Sequence, residues 1–529
     1  MIKELEINEI LDSDNIAELI SDEDLKKLSN KLVGQINEDE QSMAKYIRRA
    51  KAVLELASME TEGKDKTFPF AGSSNIRLPY LFEASVDFNS RFMNEINKKS
   101  LVKVASFGKS NDSKDARIER VADACNFIIN HDLDGREAAW RSDTDRAIIY
   151  LSIIGQFFRK NYQCDVDDLQ KSEVIYGASM IYDHKAESFY RAPRKSYEFT
   201  DTLNEVVTSI RSGEYVDSID IETYKAQEVE TLDFYECHCE LDLDGDYYDE
   251  PYIVFIAKDK GEIVHISRRF DEEDIEYNDD NEIVSIKGEE MFTQYGFIPD
   301  PNSDRRAVYV GWGMVFHDLM DAINTSANQL IDAGTLQNIS ANSGFIDQSI
   351  SVKKGKAELI MGQFTQLQVR STSKPLRDAI YQAPFAGPSK ALYDLMMSLK
   401  DDARNAIMAA HNLEGNPNEA AELYLSRLQQ ALKTPNSISA RIYRAMSHEF
   451  NRIFDLVGRY MTPERYNQIL DEDTPQQVRI DFNRDDLDVM PVANPNFGSE
   501  EEKIQKQSIV YQEAKTSPPG LYQTQNSGS

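Results

Sequence analysis

The side chains best suited to chemistry lie within ten residues of one another. Cys237-His238-Cys239 offers two thiols and an imidazole. In an extended chain the C-x-C spacing puts both sulfurs on one side of a strand. No second Cys/His pair follows at the spacing of a zinc site. Just beyond is Asp242-Leu243-Asp244-Gly245-Asp246. Its glycine stands two residues too early for an EF-hand, and no glutamate closes the loop at the required position. The expected reading is a solvated hairpin turn between two strands, without a metal. The seven histidines, at 131, 184, 238, 265, 317, 411 and 448, are scattered. Phosphate-binding loops, dinucleotide fingerprints, nucleophile elbows and H-E-x-x-H pairs are all missing from the sequence. Paired carboxylates are frequent, but 91 acidic residues make them the expected dress of solvated faces. The expectation is a chain without cofactor or catalytic centre, and not an enzyme.

The elements around these residues are mixed. The chain has 529 residues, 41% hydrophobic, with a formal net charge of −32 and a mean hydropathy of −0.53. Four cysteines in this length are no disulfide framework and suit a reducing compartment. The longest apolar stretch, 147–158, is interrupted by Ser152, Gly155 and Gln156 and is too short to cross a bilayer. The acidic start has no apolar signal core. Helical periodicity covers 1–60, about 80–96, 115–131 and 136–160. From about 172 to 298 the period becomes that of strands, with Val174, Tyr176, Ala178, Met180 and Tyr182 alternating and a short helix near 203–211. Gly311-Trp312-Gly313 then opens a long helix over about 314–338. Further helices are expected over about 389–410 and 419–460, the latter bent near Pro435, with a strand-like run at 364–369 and a short helix at 499–514. The fold class expected is α+β.

A charge of −32 argues against a protein that wraps DNA for affinity. Segment 341–387 reverses the sign, with six basic residues (Lys353, Lys354, Lys356, Arg370, Lys374, Arg377) against three acidic ones. A local reversal of this kind marks a docking surface.

Four stretches resemble the portal proteins of short-tailed and related bacteriophages. They are FPFAGSSNIRLPYLFEA, similar to a P-F-x-G-S/A-S-N stretch of many portals; APRKSYEFT, followed by a helix and SGEYVD; EVETLDFYECHCELDLDGDYYDEPYIVFIA; and YGFIPDPNSDRRAVYVGWGMVFHDLMDAINTSANQLIDAGTLQN. They span roughly 68–340, and the order of helices matches to about 460. The resemblance implies a portal fold, with a mostly helical wing and stem, a β-rich part of the wing and a small mixed clip. Its parts would be wing 1–310 and 421–490, with the β-rich portion about 172–298; stem helices 311–340 and 388–410; clip 341–387; tunnel loop 411–420; and a short or truncated crown at 491–529.

The resemblance further implies a dodecameric ring at one capsid vertex of a virion, assembled in the host cytoplasm, with no membrane contact. Double-stranded DNA would pass through it without sequence specificity during packaging and ejection. Its partners would be the large terminase motor, then a tail adaptor or head-completion protein, together with major capsid and scaffolding proteins. Lys353, Lys354, Lys356, Arg370, Lys374 and Arg377 would dock the partner at the clip. His411, Asn412, Leu413, Glu414, Gly415 and Asn416 would face DNA, and Asn324, Asn328 and Gln329 would pack between subunits in the stem. A head-to-tail adaptor ring and a capsid-associated protein without ring symmetry are the alternatives.

Overall fold

The computed structural model describes residues 7–59, 73–97, 100–106, 112–133, 139–164, 169–278, 283–302, 304–340, 344–346, 380–382, 387–407, 421–471, 478–483 and 487–492. Helices and antiparallel sheets are mixed along the chain, as an α+β fold requires. The helices are α1 (Ile7–Asp12), α2 (Asp22–Ala57), α3 (Tyr80–Ile96), α4 (Asp112–Phe127), α5 (Trp140–Ile154), α6 (Leu203–Ser212), α7 (Ile221–Ala226) and α8 (Trp312–Ser340). They continue with α9 (Lys390–Ile407), α10 (Ala421–Tyr460), α11 (Pro463–Leu470) and α12 (Val478–Asp481). None of the described helices is long and apolar enough to cross a membrane.

Two compact units divide the chain. One holds 1–54, 85–314 and 413–529, the other 55–84 and 315–412. The second therefore takes in 55–84, which the sequence placed with the N-terminal part. The side-chain contacts that draw this segment in are described below.

The first unit is built on a sheet of five antiparallel strands. These are β4 (Met180–Ile181), β5 (Arg194–Thr202), β6 (Thr231–Leu241), β7 (Glu250–Ala257) and β8 (Glu262–Arg268), in that order. Alternation along β6 decides the two faces. Tyr235, Cys237, Cys239 and Leu241 join Tyr252, Val254 and Ile256 in a core with Ile10, Ile16, Leu25, Leu28, Leu32 and Ile36 of the N-terminal helical segments. Leu232 and Phe234, on the other face, pack with Val206, Tyr215 and Tyr224 around α6 and α7. A capping box of Thr202 and Glu205 starts α6, and Gly213 ends it in the left-handed region.

A smaller sheet has the order β11 (Phe292–Gly296), β2 (Gln156–Cys164), β3 (Leu169–Tyr176). It corrects two expectations. The helix expected over 136–160 stops at Ile154, because Gly155 takes φ +115 and leaves the helical region. A Cβ there would come within 2.3 Å of the Val310 carbonyl carbon, so the position also requires glycine sterically. The apolar run 147–158 thus divides between a buried helix end and a buried strand, which periodicity alone does not separate. The single alternation expected over 174–182 is broken at 177–179, and β3 and β4 belong to different sheets. Pro435 lies inside α10, which continues on both sides of it. The run 364–369 and the helix at 499–514 lie outside the described residues.

The smaller sheet is tied to α10 through Glu449, which is fully buried. Its Oε1 accepts from Trp140 Nε1 at 2.8 Å and Ser172 Oγ at 3.3 Å, and its Oε2 accepts from the Tyr295 hydroxyl. Arg159, also buried, lies with Nε 3.9 Å from Oε1 and donates to the Trp140 carbonyl and to Thr144 Oγ1. Glu449→Ala removes the anion, leaving Arg159 buried and three donors open. The expected cost is about 3–5 kcal/mol, read as a fall in the urea midpoint with an unchanged m-value.

His184 is buried against the rings of Tyr46 and Tyr182, and neither ring nitrogen has a hydrogen-bond partner. Burial, with a smaller contribution from Arg305, brings its pKa down to about 3. The unfolded chain takes up this proton below about pH 6.5 while the native state does not. The histidine's contribution is therefore fully present above that pH and is lost as pH falls. Between pH 6.5 and 5 the loss approaches about 2 kcal/mol. His184→Phe should melt with a shallower dependence on pH than the wild type over this interval and with the same dependence above it.

Candidate functional site

The second unit holds the residues that the sequence singled out for assembly and partner docking. Here α8 and α9 flank 341–389, and within that interval β14 (Gly344–Ile346) pairs antiparallel with β15 (Ile380–Gln382). Phe345 stands opposite Tyr381. The two helices expected over about 314–338 and 389–410 are thus both present.

Residues 73–79 belong to neither helix nor sheet, so their backbone groups need other partners. One face of α8 supplies them. Asn324 Oδ1 accepts from Leu78 N at 2.9 Å. Asn328 Oδ1 accepts from Ile76 N and Ser74 Oγ, each at 2.8 Å, and its Nδ2 donates to the Ile76 carbonyl at 3.0 Å. Asp332 Oδ1 accepts from Ser74 N at 2.6 Å. Four residues of helix rise about 6 Å, and two residues of extended chain advance about 6.6 Å. The two repeats match, so partners fall at 324, 328 and 332 on the helix and at 78, 76 and 74 on the antiparallel segment.

All three helix residues are buried. The sequence reading placed the partners of Asn324 and Asn328 across subunits; the structure gives both amides partners within the chain. Gln329 is exposed. The i, i+4, i+8 spacing of Asn324, Asn328 and Asp332 was the signal that could have found the ladder. The docking residues Lys353, Lys354, Lys356, Arg370, Lys374 and Arg377 lie outside the described residues, as do His411–Asn416 of the loop expected to face DNA.

On the same unit Val315, Ile331, Tyr393 and Leu395 are each more than two-fifths exposed. Ile331 and Tyr393 line an open recess of about 420 Å³ with Leu330, Pro388, Ser389 and Lys390. Its lining holds no carboxylate, imidazole or thiol.

In the first unit, Glu236 and His238 of β6 face away from Cys237 and Cys239, so the three side chains of the C-H-C run do not converge. Burial works against ionising Glu236. Lys160, 2.6 Å away, together with His238 overcomes it and holds the carboxyl at about 2. His238 Nε2 lies 2.7 Å from Glu236, and burial depresses the imidazole to about 4. Tyr197 donates to the same carboxylate. A recess of about 390 Å³ adjoins this group, with Lys195 paired to Glu290 and Arg269 donating to the carbonyls of Tyr252 and Glu289. The cationic side chains lining it are engaged by protein groups, the pattern of a buried polar network that orders strands.

The acidic turn joins β6 to β7 as a hairpin. It holds the one cluster among the described residues whose ligand atoms are close enough for a metal ion, Asp242, Asp244 and Asp246. Burial first, then the like charges of Asp244 and Asp246, push the neighbouring Glu250 up to about 8.

No protein-family model matches the chain, and no curated protein matches it.

Replacing Asn328 with alanine removes both the acceptor and the donor that hold Ile76. Ile76 is exposed, so water can take up part of the loss and each bond removed costs about 0.5–1.5 kcal/mol. The variant is expected to keep its far-ultraviolet spectrum, to exchange the Ile76 amide much faster than the wild type, and to be cleaved sooner by protease within 73–79.

Proposed function

We propose that the chain is the portal subunit of a tailed bacteriophage, one member of a closed ring that passes double-stranded DNA. The observation that carries this reading is the second unit: two helices flanking an inserted segment, with large apolar side chains exposed along both. Ile331 and Tyr393 line one recess, and repeated copies around an axis would cover apolar side chains exposed in this way. The resemblance of 68–340 to portals supplies the expected symmetry, twelvefold, and the names of the parts. In that reading α8 and α9 are stem helices and 341–387 is the clip. Its basic excess meets the terminase motor and later the tail adaptor.

The work is passive. A separate motor moves the DNA, and the ring contributes a docking face and a channel. A chain of −32 repels phosphates over most of its surface, which keeps a duplex centred and mobile because the wall offers no electrostatic minimum. In this reading no catalytic step belongs to the chain. The adaptor ring and the capsid-associated protein without ring symmetry are separated from it by the same experiment.

Native mass spectrometry and negative-stain images of the purified chain should give a ring with a central hole, near twelve times the 60.3 kDa subunit mass. Ile331→Asp with Tyr393→Asp should shift the population toward smaller species while leaving the circular dichroism of the subunit unchanged. A monodisperse monomer at micromolar concentration, with no ring in the images, sinks the portal reading.

A further inference from the structure

Three asparagines of this chain hold extended backbone in the same way. Asn328 accepts from the amide of Ile76 and donates to its carbonyl. Asn126 does so for Val102 in β1 (Val102–Ser106), at 3.0 and 2.9 Å. Asn451 does so for Val489 in β16 (Leu487–Pro491), at 3.4 and 2.9 Å. Each time one side-chain amide, an acceptor beside a donor, meets both backbone groups of a single residue.

Asn161 of β2 has the same amide and no such segment. It is 1% exposed, and among the described residues neither its Oδ1 nor its Nδ2 has a hydrogen-bond partner. Its backbone N–H is satisfied by the Met291 carbonyl at 2.9 Å. The side chain lies on the face of β2 that meets α10, because Arg159, two residues earlier on the same face, reaches Glu449 of that helix. One and two turns beyond Glu449, Arg452 and Leu456 line a recess of about 450 Å³ together with Asn161. A water's share of liquid volume is about 30 Å³ and ligand sites span about 300–1,000 Å³, so the recess has room for more than solvent at this amide.

The chemistry of the occupant follows from what is open. Arg459 is paired with Asp274 at 2.9 Å and Arg479 with Glu273 at 3.1 Å. Arg452 donates to Thr293 Oγ1 at 3.0 Å, and Glu290 is paired with Lys195. Those charges are engaged within the chain. The buried group left over is neutral and requires one donor and one acceptor side by side. An extended peptide presents that pair at every residue except proline, and it is what the matching amides of Asn126, Asn328 and Asn451 hold.

We propose that this recess binds an extended peptide segment of a second protein, with Asn161 Oδ1 accepting from the N–H of one residue and Nδ2 donating to its C=O. A primary amide buried without partners is costly, and the arriving backbone would supply both.

Isothermal titration of the full chain with acetyl-trialanine methylamide, which offers backbone and little else, tests this. One peptide per chain is expected, with Kd between about 10⁻⁵ and 10⁻³ M for a ligand of this size. The same peptide N-methylated at all three alanines has lost the donors and should bind at least about tenfold more weakly. On Asn161→Ala the unmethylated peptide should lose at least about tenfold in affinity, and the two peptides should then bind within about twofold of each other, because the bond that tells them apart is gone. The absence of saturable binding, equal affinity of the two peptides for the wild type, or undiminished discrimination by Asn161→Ala overturns the proposal. So does adenosine binding at Asn161 in the peptide's place, since its N6 amino group and N7 offer a similar donor and acceptor. Should Asn161→Ala fail to fold, the comparison of the two peptides on the wild type decides. None of these readouts depends on whether the chain forms a ring.

Discussion

Backbone with no sheet to join must find its hydrogen bonds elsewhere, and the second unit is organised by that need. Residues 74–78 are extended but unpaired as a strand, and three side chains of α8 take the place of a neighbouring strand. The match between a helical repeat of four and an extended repeat of two makes this possible over two successive turns. It explains why Asn, Asn and Asp occur in a helix where leucine would be expected to serve a core better. It also explains why 55–84 belongs with 315–412 although more than two hundred residues separate them in sequence.

The first unit meets a different constraint. A chain carrying 91 acidic residues buries several of them, and two of these sit in networks of donors with a cation beside them. Glu449 sits among Trp140, Ser172 and Tyr295 with Arg159 near it; Glu236 sits among Lys160, Tyr197 and His238. Such networks add little net stability over well-packed apolar side chains, but removing one member is costly, so they select a single register for the elements they join. Glu250 is buried as well, and the Tyr252 hydroxyl donates to its Oε2.

In the portal reading proposed above, the chain would separate two functions that usually coincide. Proteins that hold DNA are basic where they touch it. Here the overall charge is strongly negative, while 341–387 carries a basic excess and in the portal reading would face a protein partner. Sliding without sticking and docking with specificity would then fall on different parts of the chain. The exposed apolar side chains of α8 and α9 would carry the third function, closure of the ring.

Local pattern determined much of this protein. The α+β class, α2, α3, α8, α9 and α10, the strands of the larger sheet and the hairpin around Asp242–Asp246 all follow from periodicity and turn residues that act within a few positions. The sequence also carried the C-x-C geometry, which puts Cys237 and Cys239 on one face. Tertiary structure decided what periodicity leaves open. Whether 147–158 was one helix or a helix and a strand depended on Gly155 lying against the backbone of Val310, more than 150 residues away. Whether Asn324 and Asn328 faced a neighbouring copy or their own chain depended on where 74–78 ran. In each case the deciding atom was distant in sequence, and a short window of residues holds no information about which distant atom arrives.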